Sequence, residues 1–203
     1  MDGSRRLGPV VLEGRHIRLE PLRPRHRAGL VAAAGAPGIW TWLSADLRVP
    51  EAMDAFLADA LRAEELGTEF PFAVVRQEDG RVLGSTRYLD VTPAHRRLEI
   101  GWTWYEPAAW GTATNPEAKF LLLRHAFEAW GAVRVALHAD GENRHSQAAI
   151  RKLGAVHEGV LRRHKRRPDG TWRDTVVFSI LDAEWPERRE ALRQRLAAPC
   201  PPG

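Results

Sequence analysis

The stretch Glu99–Asn115, EIGWTWYEPAAWGTATN, and the apolar helical run that Pro116 opens decide how this chain is read. Arg97 to Tyr105 reads as a strand, and Trp110, Gly111, Thr112, Ala113, Thr114 and Asn115 form a turn of mostly small residues. Proline suits a helix start, because its φ is already helical and its missing N–H is not needed there. The first N–H groups of a helix have no internal partner and carry the positive end of its dipole. A strand, a small-residue turn and a helix start therefore predict an anion cradle, most often for phosphate. The plain alternative is an ordinary strand-to-helix turn, for which small residues are equally suited. The proline directly after the turn favours the cradle.

Outward from this stretch, the upstream half predicts a strand over Val10 to Leu22, helices over Arg25 to Ala34 and Glu51 to Leu66, and strands over Phe70 to Arg76 and Arg81 to Val91. Gln77-Glu78-Asp79-Gly80 is a hairpin turn of the Asp-Gly type. Downstream follow a helix from Pro116 to Trp130, a strand over Arg134 to Ala139 and a helix from Asn143 to Leu153, with Gly154 as its cap. A hairpin of Val156 to Arg166 and Arg173 to Leu181 turns through Pro168-Asp169-Gly170, and a terminal helix covers Pro186 to Leu196. The expected fold class is mixed α/β: one central, mostly antiparallel twisted sheet of about seven strands with helices on both faces. Without regular βα alternation, a doubly wound nucleotide fold does not fit. Residues 10–198 read as one domain, with 1–9 and 199–203 as flexible termini.

Composition narrows the class. At 203 residues, 44% hydrophobic and 28% charged, the chain can bury a sizeable core. No segment reads as a membrane span, and Met1 to Arg6 lacks the apolar run of a secretory signal. The single Cys200 excludes an internal disulfide and fits a reducing cytoplasm. The formal charge of +4 comes mostly from arginine, since Lys119, Lys152 and Lys165 are the only lysines. Arginine with abundant alanine is read as a mark of a GC-rich genome rather than of nucleic-acid binding. An anionic cofactor draws on the same positive potential.

Three stretches resemble the GCN5-related N-acetyltransferases, in the branch that acetylates ribosomal-protein N-termini. The first is Leu98-Glu99-Ile100-Gly101-Trp102 with the Trp110–Ala113 turn. The second is Asp140 to Ala155, where Asn143, Ser146, Ala149, Ile150, Lys152, Leu153 and Gly154 match the family's asparagine-to-Leu-Gly helix. The third is Glu158 to Arg162 with Arg173 to Val176 and Ser179, the closing hairpin. Pro37 to Leu43 is similar to the branch's first inter-helix loop, and the likeness spans about Leu12 to Trp185. One position departs: Ala108 stands where the pyrophosphate loop usually carries Arg or Gln. Most of the family's pyrophosphate contacts come from backbone N–H groups, so the cradle survives the change.

The resemblance implies acetyl-CoA as cosubstrate, no metal, and direct transfer to an amine acceptor, either a protein N-terminus or a small molecule. Glu99 is the expected base, acting through a water and touching the acceptor; its plain alternative is a strand carboxylate paired with Arg96 or Arg97. Strand alternation predicts Glu99, Gly101, Thr103 and Tyr105 on one face. Ser146 is the expected proton donor or thiol partner, with Tyr105 as a second acid candidate. Asn143 either bonds the pantetheine or caps its helix, the commoner role for Asn there. Trp102, Thr103 and Trp104 lend backbone groups to the pantetheine arm as an added strand does. Trp40 and Trp42 wall the acceptor side, although eight tryptophans in one small domain suit packing as well.

Rival readings are a catalytically silent acyl-CoA-binding protein, transfer of a different acyl group, and an RNA-binding strand over Arg162 to Arg167. The exposed apolar face of the final hairpin permits a homodimer.

Overall fold

The computed structural model describes residues 7–167 and 169–197. Met1 to Arg6, Pro168 in the last hairpin turn, and the tail with Cys200 lie outside the described residues. The elements are β1 (Leu12–Glu13), β2 (Ile17–Pro21), α1 (Arg27–Ala33), α2 (Pro50–Glu65), β3 (Phe70–Arg76), β4 (Val82–Thr92), β5 (Arg97–Tyr105), α3 (Thr114–Arg124), β6 (Arg134–Asp140), α4 (Arg144–Arg151), β7 (Val156–Arg166), β8 (Trp172–Leu181) and α5 (Trp185–Ala197). The strands form one sheet in the order β1-β2-β3-β4-β5-β6-β8-β7. Every neighbouring pair is antiparallel except β5 and β6. The mixed α/β expectation therefore holds.

Two apolar clusters cover the two faces. On one face Leu98, Ile100, Leu137 and Phe178 pack against Leu121 and Leu122 of α3, Ile150 of α4 and Leu192 of α5. On the other, Ala73, Val75 and Trp104 pack against Leu30 of α1 and Met53, Phe56 and Leu57 of α2. Helix α2 carries its buried residues at helical spacing, Met53, Phe56, Leu57 and Ala60, as one stripe must.

Three sequence expectations are corrected. The sheet has eight strands rather than about seven, because the expected first strand folds back on itself. Gly14 N donates to Ile17 O at 2.9 Å, and Leu12 comes to lie opposite Leu19. The turn amides of Arg15, His16 and Ile17 donate to the buried Glu117 carboxylate at 2.6, 2.9 and 3.0 Å. A carboxylate in the first turn of α3 thus takes the place of water for three turn donors.

The second correction concerns α3, which starts at Thr114, so Pro116 lies inside its first turn rather than opening it. The helix then widens into a π-turn over His125–Trp130 and ends at Gly131, whose φ is 80°. Tyr88 Oη donates to the Leu122 carbonyl at 2.7 Å just before the widening.

The third correction bears on the site. Ser85 lies opposite Trp104 but Arg87 opposite Gly101, so β5 carries one extra residue there. That residue is Trp102, with φ of 48°, a β-bulge. A bulge shifts the alternation by one. Leu98, Ile100 and Tyr105 face the α3 side, whereas Trp102 and Trp104 face α1 and α2. Thr103 meets Lys119 of α3 at 2.6 Å. Glu99 and Gly101 are consequently on the opposite face from Thr103 and Tyr105.

Candidate functional site

The parallel β5–β6 pair is brief: Arg97 opposes Arg134, Leu98 opposes Val135, Glu99 opposes Ala136, and no further pairing follows. Beyond Glu99 the strands diverge while each keeps its outer neighbour, β4 for β5 and β8 for β6. The backbone from Ile100 to Trp104 thus lines a V-shaped gap with its inner edge unpaired. Unpaired strand edges accept an extended ligand as an added strand. Glu99 sits at the apex of the gap.

The small-residue turn lies beyond the end of β5. Pro107–Ala109 makes one tight helical turn, and Gly111 then takes φ of 74° in open space, where an added Cβ would meet nothing within 4 Å. Thr112 Oγ1 donates to Ala109 O at 2.7 Å and accepts from Thr114 N at 3.2 Å, fixing the bend. Among the described residues, the amides of Gly111, Thr112, Ala113 and Asn115 enter no hydrogen bond. Four amides without a partner thus stand at the positive end of an 11-residue helix, where a negative charge is favoured. Thr114 adds no amide to them, since that N–H is already used, and Pro116 has none. Trp110 is half exposed and donates from Nε1 to Tyr105 O at 3.0 Å.

Across the gap, Asn143 caps α4, its Oδ1 accepting from Ser146 N at 2.9 Å. Its Nδ2 and Ser146 Oγ have no partner among the described residues, and both side chains are partly exposed. Asn143 therefore fills the capping role and retains a free donor.

On the α1/α2 face, Glu99 Oε2 meets His138 Nδ1 at 2.9 Å, while Oε1 makes no hydrogen bond among the described residues. This partner is neither Arg96 nor Arg97; Arg97 pairs with Asp90 instead. His138 is a site residue that sequence reasoning missed. It follows Ala136, the residue opposite Glu99, by two, so the parallel register puts both side chains on one face. Nearby, His164 Nδ1 meets Thr175 Oγ1 at 3.1 Å. Glu158 pairs with Arg134, which holds its carboxyl down to about 2, and accepts from Ser179 Oγ at 2.8 Å.

Tyr105 stands apart from that face. It is 7% exposed among the α3 core residues, and its Oη donates to Asn115 Oδ1 at 3.3 Å. Burial pushes its phenol well above the ordinary tyrosine value, which makes it a poor proton source and a brace for the cradle. Lys119 is also buried on that side, its Nζ donating to Thr103 Oγ1 at 2.6 Å. Burial pushes this ammonium down to about 7, opposed by the negative charge of Glu99. Trp40 is turned inward: it is 4% exposed, packs at a tilt of 55° against Trp104 with ring centres 5.1 Å apart, and donates from Nε1 to Ala34 O at 2.9 Å. Of the two loop tryptophans, only the half-buried Trp42 is partly open to solvent.

Residues 16–156 match the profile of the acetyltransferase (GNAT) domain, which is more than half of the chain. This chain belongs to the GNAT acetyltransferase family. It is 30% identical to the N-acetyltransferase YoaA of Bacillus subtilis over 124 residues, 60% of this chain and 67% of that one. The crystal structure of a GCN5-related N-acetyltransferase from Brucella melitensis superposes with a TM-score of 0.86 at 30% identity, covering 97% of this chain and 90% of the other. Mycobacterium smegmatis RimJ in complex with CoA-disulfide gives a TM-score of 0.77 at 26% identity, covering 93% of each chain. The chain is thus an acyltransferase enzyme of this family. Among the described residues no group of three or more His, Cys, Asp or Glu is placed to hold a metal. No described helix is long and apolar enough to cross a membrane.

Proposed function

We propose that this GNAT enzyme moves an acetyl group from acetyl-CoA to a primary amine, either a protein N-terminus or a small molecule, by direct transfer in a ternary complex. The observation that carries the reading is the divergence of β5 from β6 immediately past Glu99, with four unpaired amides at the end of β5. A diphosphate fits that loop: Gly111 leaves room, and the unsatisfied donors match phosphate oxygens. The residues that would hold the cosubstrate are Gly111, Thr112, Ala113 and Asn115 through their amides, Trp102 to Trp104 through backbone groups, and Asn143 through Nδ2. Bound there, acetyl-CoA supplies the activated acetyl group as a thioester. The likeness to RimJ, which was crystallised with a CoA-disulfide, supports the same cosubstrate.

The chain's own residues manage protons. A free alkylamine, with pKa near 10, is mostly protonated at neutral pH, and an N-terminal amine, near 8, much less so. Glu99 takes the proton from the acceptor nitrogen at Oε1, directly or through a water, while His138 holds Oε2 and fixes the carboxylate's orientation. Ser146 Oγ, without a partner among the described residues, is the donor assigned to the departing sulfur. Tyr105 is assigned no proton here, because it is buried on the opposite face.

An acyl-CoA by amine matrix, read by release of free thiol, tests the proposal together with Glu99→Gln. The reading expects turnover with at least one amine, falling at least about tenfold in the variant, while coenzyme A affinity stays within about twofold. Coenzyme A binding without turnover of any amine would instead favour a silent acyl-CoA-binding protein.

A further inference from the structure

The bulge in β5 holds a conformation that has to be enforced by its neighbours. Trp102 sits at φ of 48°, a region that residues with a side chain rarely adopt. Such a residue persists only where its surroundings over-determine it. Two sets of contacts do so, one on each face of the sheet. On the α1/α2 side the Trp102 ring packs against Phe56, with ring centres 5.6 Å apart, and lies 5.3 Å from the Arg87 guanidinium carbon. On the α3 side the hold is on the next residue. Thr103 Oγ1 meets Thr86 Oγ1 of β4 at 2.8 Å and accepts from Lys119 Nζ at 2.6 Å. Thr86 lies between Ser85 and Arg87, the β4 residues opposite Trp104 and Gly101, so its hydroxyl spans the bulge.

Lys119 is a costly partner for a threonine. It is buried, and burial pushes its ammonium down to about 7, opposed only by the charge of Glu99. A lysine offers three N–H donors, and among the described residues only one of them finds an acceptor. Thr86 already reaches the same hydroxyl. For the fold alone, an apolar side chain of similar length would fill this space at less cost.

What the ammonium adds is direction. It can only donate, so Thr103 Oγ1 accepts from it and turns its own proton to Thr86 Oγ1 or to Gly101 O, 3.4 Å away. Gly101, Trp102 and Thr103 are thereby tied into one unit, and that unit lines the gap. The inner edge of β5 from Ile100 to Trp104 is unpaired. A bulge that slipped by one residue would exchange the backbone groups facing that edge.

We propose that Lys119 is a positioning residue for acyl transfer: through Thr103 it fixes the Trp102 bulge in the register that points the β5 backbone groups at the thioester. The inference rests on the acetyl-transfer reading for the thioester, but not for the hold on the bulge. Lys119 needs no contact with a reacting atom.

The test pairs kinetics with amide hydrogen exchange on the full chain, for the parent, Lys119→Met, Thr103→Val and the double variant. Amides protected in the parent between Ser85–Arg87 and Gly101–Trp104 should exchange at least about fivefold faster in Lys119→Met, while those of the β2–β3 pair do not speed up. With acetyl-CoA and an accepted amine, kcat should fall at least about fivefold in each single variant. The KM for acetyl-CoA should stay within about twofold, because the diphosphate is anchored elsewhere. The double variant should lose no more than either single one, since both remove the same contact. Parental kcat in Lys119→Met overturns the positioning role, as does a double variant whose loss is the product of the single losses. A loss confined to KM places Lys119 in cosubstrate binding and overturns it too. A lower unfolding midpoint in Lys119→Met below neutral pH makes the lysine a structural support and does the same. Faster exchange at the bulge in a protein that acetylates no amine overturns acetyl transfer and leaves the hold on the bulge standing. Turnover with unchanged exchange does the reverse, and absence of both effects overturns both.

Discussion

At the scale of single residues, the site depends on space as much as on charge. A Cβ built on Gly101 would lie 2.6 Å from Leu89 Cδ1 and 3.0 Å from Glu99 Oε1. Gly101→Ala should therefore push the Glu99 carboxylate away from His138, lowering kcat with coenzyme A affinity nearly unchanged; equal losses in both would place the damage in the cosubstrate gap instead. Lys119 gives a prediction about stability. Its ammonium, ordinarily at 10.5, is pushed to about 7 by burial, so the unfolded chain binds the extra proton between those values. Its contribution to stability rises with pH through that window and stays at its least favourable below about 7. Lys119→Met should consequently be more stable than the parent below neutral pH, by on the order of a few kcal/mol, with the gap closing toward pH 10. Urea unfolding at matched pH values measures this, and a gap independent of pH would refute it. Neither residue's setting was legible in the sequence. Lys119 reads as an ordinary helix lysine until α3 is docked on the sheet, and His138 gains a role only from the parallel register with Glu99.

At the scale of elements, the cradle helix is anchored at its start. Glu117 joins the first turn of α3 to the β1–β2 turn through three backbone amides. Glu117→Ala would strand those donors and should destabilise the fold by roughly 3 kcal/mol, read as a lower denaturant midpoint with an unchanged slope; a loss below about 0.5 kcal/mol would mean that water replaces the carboxylate. Most elements were legible because their punctuation is local: Asp79-Gly80 for a hairpin, Pro50 and Gly67 around α2, Gly154 after α4. The misreadings depend on distant partners. The Gly14 reversal is stabilised by a residue more than 100 positions away. The Trp102 bulge follows from the β4–β5 register, and one inserted residue was enough to move Tyr105 and Thr103 off the Glu99 face.

At the scale of the whole molecule, the sheet's far edge carries the apolar residues on which the expected homodimer rests. Strand β7 is outermost, and Val156, Val160, Leu161 and the β8 residue Trp172 are exposed beside Arg162, Arg163, Lys165 and Arg166. Like charges on a strand edge oppose pairing with a copy of itself. The homodimer permitted by the apolar residues should therefore strengthen as salt rises from about 0.05 to about 0.5 M, and Trp172→Glu should abolish it; light scattering showing a monomer throughout would refute it. The turn with its unpartnered amides was legible because it is contiguous from Trp110 to Asn115, whereas the surroundings of Glu99 were not, being assembled from β4, β5 and β6. The claim on which the mechanism rests is that the unpaired amides past β5 grip the diphosphate of coenzyme A. Residue-resolved amide hydrogen exchange, with and without coenzyme A, tests it most directly. The account predicts slowed exchange at Gly111, Thr112, Ala113 and Asn115. Saturating coenzyme A that left these four amides exchanging at their free rates would contradict it.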